Sequence, residues 1–148
     1  MWYMTQHSRV MTATPEAVWA VLSDVRRWAQ WLPTIDSLEP LDPATPDGVG
    51  AAYRISQPRL RPAVWTLTSW QPAGPRREFT WESKQPGVTT VGTHVVAATP
   101  DGGCEVTLGI EMSGPLAPVV RAVYGRLTVS YLATEARALA ARADGHVA

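Results

Sequence analysis

The stretch "CEVTLGIEMSGPLAPVVRAVYGRLTVSYLATEARALAARA", Cys104 to Ala143, changes its period part-way along. In its first part Val106, Leu108, Ile110 and Met112 stand on one side and Glu105, Thr107 and Glu111 on the other, the pattern of a strand with one apolar and one wetted face. Gly114 and Pro115 break that run. Beyond them the apolar residues recur at helical spacing over a length that predicts about seven turns. Val120, Val123, Tyr124, Leu127, Tyr131 and Ala138 form the stripe, with Arg121, Arg126, Arg137 and Arg142 mostly away from it. A strand whose apolar face needs a cover therefore runs straight into a helix able to provide one.

Upstream the same one-sided alternation appears in "REFTWESK", where Phe79, Trp81 and Ser83 oppose Glu78, Thr80 and Glu82. Turn signals at "TPDG", "QPRLRP", "QPAGP", "QPG" and "TPDGG" divide Ile35 to Ser113 into a run of strands with short connections, which predicts an antiparallel meander. The segment "EPLDPATPDGVG" reads as one long connection. Met1 to Ala13 reads as a first strand. In "TPEAVWAVLSD" the period changes: Thr14 is an N-cap, Pro15 suits the first helical position, Glu16 favours the positive end, and Val18, Leu22 and Val25 share a face. Asp24 is the expected cap of a second short helix carrying Trp28, Trp31 and Leu32, ended by Pro33. The order strand, two short helices, strand run, one long helix specifies an α+β class.

Composition narrows the function. The 148 residues read as one domain, and a chain of that size can bury a substantial core. Thirteen basic side chains are matched by 13 acidic ones, which argues against nucleic acid and anionic membrane as main partners. Cys104 is the only cysteine, so no internal disulfide or cysteine-pair metal site is expected, and a reducing, cytoplasmic setting fits. The N-terminus lacks the pattern of a signal peptide, and "PLAPVVRAVYGRLTV" is interrupted by Arg121 and Arg126, so no membrane span and a soluble protein are expected.

The familiar catalytic signatures are missing. Gly48 and Gly50 are followed by Tyr53 where a dinucleotide loop needs a third glycine, and there is no Walker sequence or G-x-S-x-G elbow. His7, His94 and His146 do not have metal-ligand spacing, and Asp101 is explained by the "PDGG" turn, so no metal or cofactor is expected. His94 lies in "VTTVGTHVVAAT", whose alternation does not say which parity faces inward. Turned inward, it is a candidate proton-transfer group; otherwise it is a structural or surface histidine. Arg54 is the other ionisable candidate for the interior.

The helix start "TPEAVW", the segment "DVRRWAQWLP", a tryptophan in each of two middle strands, "PDGG", and "SGPL" before the last helix together make the chain resemble the START-like, helix-grip (SRPBCC) superfamily. Within it the chain looks like bacterial proteins labelled polyketide cyclase/dehydrase and lipid-transport-like. The resemblance implies a curved antiparallel sheet of about seven strands around the C-terminal helix, with a deep apolar cavity between them and the two short helices plugging one end. Trp28 and Trp31 would then sit near the closed end or entrance of the cavity, with Arg26 and Arg27 pointing outward. The same residues can equally be core. Candidate ligand contacts are Trp28, Trp31, Tyr53, Trp65, Phe79 and Trp81, joined by Leu108, Ile110, Met112, Val120, Tyr124 and Leu127. Two functions follow from the resemblance. The main reading is a binding module for a hydrophobic small molecule such as a lipid, quinone or polyketide, acting as carrier, sensor or chaperone. The alternative is an aromatase/cyclase-type enzyme that positions a poly-keto chain and moves protons, with His94 as its candidate catalytic residue.

Overall fold

Thr14 separates the first strand from the first helix. Its backbone is extended, its hydroxyl accepts the Ala17 N–H at 3.2 Å, and Pro15 takes the first helical position. A computed structural model describes residues 2–147, and the side chains of residues 3–144. In it β1 (Trp2–Met11) leads to α1 (Pro15–Leu22), which is followed by a 3-10 helix over Val25–Gln30. Val18, Leu22 and Val25 are buried together as their spacing predicts. Asp24 corrects the expected cap: its side chain makes no capping bond and instead pairs with Arg27 at 3.5 Å. The short helix ends just ahead of Pro33, whose ring disfavours the helical conformation in the residue before it.

Six strands follow: β2 (Ser37–Pro40), β3 (Ala52–Ser56), β4 (Ala63–Gln71), β5 (Arg76–Gln85), β6 (Val88–Ala98) and β7 (Cys104–Ser113). They form one antiparallel sheet in the order β1-β7-β6-β5-β4-β3-β2, so the meander is closed on one side by the first strand lying along the last. In β5 and β7 the predicted inner residues are buried, among them Phe79, Trp81, Val106 and Leu108, except that Ile110 is half-buried. Gly114, with φ +107°, turns the chain out of β7. A Cβ there would stand 2.6 Å from the Gly87 carbonyl oxygen, so the β5–β6 hairpin and this turn fit only with glycine at the contact.

The final helix, α2 (Ala117–Val147), packs against β1, β7 and α1 and runs beyond its predicted end, taking in His146, whose side chain lies outside the described ones. At about 100° per residue, Val120, Tyr124, Thr128, Tyr131 and Glu135 share an arc of about 80°, and Leu132, Ala136, Leu139 and Ala143 occupy the neighbouring arc. The second group is core. Val123 lies off both arcs and is 65 % exposed, so the predicted stripe is corrected at that position.

The Arg26 side chain also departs from expectation. It folds onto the connection between β2 and β3, donating to Asp47 Oδ1 at 3.1 Å and to the carbonyl oxygens of Pro43 and Thr45. The Tyr53 hydroxyl donates to the same Asp47 oxygen, and burial together with that carboxylate pushes the phenol well above its usual range. Arg26 thus fixes the long connection, while Arg27 is exposed as predicted.

Candidate functional site

Between the inner face of the sheet and α2 lies a cavity of about 180 Å³. Trp28, Trp65, Trp81, Leu108, Ile110, Met112, Val120, Tyr124 and His94 line it, bringing together nine of the residues singled out in the sequence. The other four do not line it. Tyr53 and Phe79 are wholly buried beneath other rings, Trp31 packs edge-on to Trp28 at 6.2 Å, and Leu127 lies at the margin of the helix arc. For Tyr53 and Phe79 the reason is that inward parity selects a side of the sheet, while the neighbouring rings decide which inward residue meets open space. Arg54 is exposed and takes no part in the wall.

The tryptophans form a connected layer. Trp81 meets Trp28 at 5.1 Å, Trp65 at 5.9 Å and Phe79 at 5.5 Å between ring centroids. Room for the Trp81 indole comes from Gly92 on β6, where a Cβ would lie 2.7 Å from Trp81 Nε1. The Trp28 indole N–H is satisfied by the Leu22 carbonyl at 2.9 Å, so this ring offers the cavity its carbon face.

β6 turns its even-numbered residues inward, which settles the parity of His94. The imidazole is buried at 5 % exposure, stacked on Phe79 at 4.1 Å and flanked by Trp28 and Trp81. Its Nδ1 is 3.2 Å from the Phe79 carbonyl oxygen. A carbonyl only accepts, so Nδ1 carries the proton and Nε2 keeps its lone pair. Burial lowers the His94 pKa to about 4, against a weaker raising by that hydrogen bond, so the ring is neutral near pH 7.

Glu135 is an acidic residue of the cavity wall that the candidate contacts did not include, as they did not include Thr90, Thr128 and Tyr131. It accepts from the Thr34 hydroxyl at 3.2 Å, and burial pushes its carboxyl up to about 7 despite that bond. The signal was present: Glu135 is one turn beyond Tyr131 and lies on the stripe, where a carboxylate interrupts an otherwise apolar and hydroxylic face. Tyr131, also in the wall, is anchored by its hydroxyl to the Pro58 carbonyl. Among the described residues there is no cluster of three or more His, Cys, Asp or Glu able to hold a metal ion, and no helix long and apolar enough to cross a membrane.

The sequence pattern of the family described as "Polyketide cyclase / dehydrase and lipid transport" matches residues 4–144. The chain belongs to this family. No curated protein matches it. Among solved structures, this family member is similar to a norcoclaurine synthase point mutant from Thalictrum flavum, with 17 % identity, TM-score 0.78, and coverage of 100 % of this chain and 98 % of that one. The Zhui aromatase/cyclase from Streptomyces sp. R1128 is 20 % identical, with TM-score 0.75 and coverage of 100 % and 97 %. A Thermus thermophilus protein is 17 % identical, with TM-score 0.76 and coverage of 99 % and 100 %. At these identities the structural likenesses establish a shared helix-grip fold for this polyketide cyclase/dehydrase and lipid-transport family member, and the site must be read from its own residues.

Proposed function

We propose that the protein, acting as a single domain, binds a hydrophobic small molecule in the cavity between the sheet and α2 as a carrier, sensor or chaperone. The observation that carries this reading is the cavity itself: three tryptophans and a set of aliphatic side chains surround about 180 Å³ that these residues leave unfilled. Well-packed cores seldom keep such space, and a dry cavity of roughly 150 Å³ is enough to take a benzene-sized ring. Lipid, quinone and polyketide-like molecules all contain a portion of that size. Tyr124 is both a wall residue and exposed, so a longer ligand would leave past the first half of α2. The test is a titration with an environment-sensitive dye, followed by displacement with aromatic and fatty-acid competitors. Binding below about millimolar is expected. Failure of the dye and every competitor to bind at that level overturns the proposal.

One observation favours a second reading as a cofactor-independent cyclase or dehydrase. The lone pair on His94 and the carboxyl of Glu135 share one cavity, with environments that push their pKa values in opposite directions. Such a pair can remove one proton and supply another on an enolisable carbonyl compound. For a polyketide substrate that is turned over, His94→Gln should lower kcat by ~10²–10⁴-fold with little change in binding. Unchanged turnover in that variant would remove His94 from catalysis.

A further inference from the structure

We infer that the ligand carries a protonated amine, seated at Glu135 with its apolar body among the tryptophans. This rests on the binding reading above and specifies the head group. Neither lysine nor arginine lines the cavity among the described residues; its ionisable side chains are His94, Glu135 and the phenols of Tyr124 and Tyr131. His94 has spent its N–H on the Phe79 carbonyl and can offer only a lone pair. The Glu135 carboxyl receives the Thr34 hydroxyl, and no cation contributes to its balance. Asp36 and Arg59, whose charges reach Tyr131 one turn earlier on α2, are both exposed.

The wall is therefore rich in acceptors and short of one positive charge. A carboxylate ligand would place a second anion beside Glu135, and a neutral one would leave this half-buried, desolvated carboxyl to hold its proton. An ammonium group supplies both the missing charge and up to three N–H donors, while indole faces attract a cation that has shed water. A single ring with a short aminoalkyl chain also suits the volume.

Phenylpropylamine, phenylpropanoate and propylbenzene present one apolar body with a cationic, anionic or neutral end. Their dissociation constants should be measured by calorimetry at pH 7 with wild-type protein and Glu135→Gln, alongside the dye. The amine is expected to bind at least about tenfold more tightly than the carboxylate, since one brings an opposite charge to Glu135 and the other a like charge. Glu135→Gln should abolish that preference and leave propylbenzene nearly unchanged. A carbon-13 titration of the wild-type side chain gives an independent readout: the amine should lower the Glu135 pKa and propylbenzene should not. Equal binding of amine and carboxylate, a preference that survives Glu135→Gln, or an unmoved Glu135 titration overturns the inference. If propylbenzene or the dye still binds in that event, the binding reading stands and only the amine head group falls. If none of the four probes binds, both fall.

Discussion

Trp28 meets Trp31, Phe79, Trp81 and His94 with ring centroids 5.1–6.2 Å apart, while its N–H reaches back to close the end of α1. One residue thus joins the short helices, β5 and β6, and the cavity wall. Its neighbour in the motif contributes less, since Trp31 is only half-buried and packs from the outer side. Trp28→Ala should therefore destabilise by ~3–5 kcal/mol, the range for truncating a buried aromatic ring, and Trp31→Ala by clearly less. Chemical denaturation of the two variants checks the ordering. Equal losses would mean that Trp31 carries packing that its exposure does not reveal.

At the level of elements, period-2 alternation in β5 and β7 shows which residues face inward, because one face of the sheet is covered and the other wetted. The switch to helical spacing after Gly114 identified α2. β6 was unreadable by the same rule: Thr90, Gly92 and His94 face inward, while Val91 and Val95 lie on the other side, so hydrophobicity fails as a guide where a strand forms the floor of a cavity. Glu135 was overlooked for a related reason. A carboxylate on a helix is normally read as solvent-facing, and only the positions of Tyr131 and Leu132 show that this one is not. Gly92 gives the element-scale prediction. Trp81 is held by Trp28, Trp65 and Phe79, so a methyl at position 92 cannot be accommodated by swinging one free ring. Gly92→Ala should lower the melting temperature and weaken dye binding together. A variant with unchanged melting and affinity would show that the tryptophan layer yields without cost.

Across the whole molecule His94 and Glu135 form an opposed pair in proton linkage. His94 has a folded pKa near 4 against 6.5 for an unperturbed histidine, so between those values the unfolded chain binds the extra proton and stability falls as pH falls. Glu135 has a folded pKa near 7 against 4.5, so between those values the folded chain holds the extra proton and stability falls as pH rises. From about 4.5 to 6.5 the two slopes cancel, and this pair leaves wild-type stability nearly flat. Single substitutions should expose the hidden slopes. With His94→Gln, stability should decline by roughly 1 kcal/mol per pH unit toward pH 6.5, the Glu135 slope alone; with Glu135→Gln it should climb by a similar amount over the same window. The double variant should be flat again. Urea denaturation at several pH values from 4.5 to 6.5 measures all four proteins. Parallel profiles for the two single variants would show that these groups titrate as they do in the unfolded chain, which would remove the desolvation that makes the cavity short of a cation.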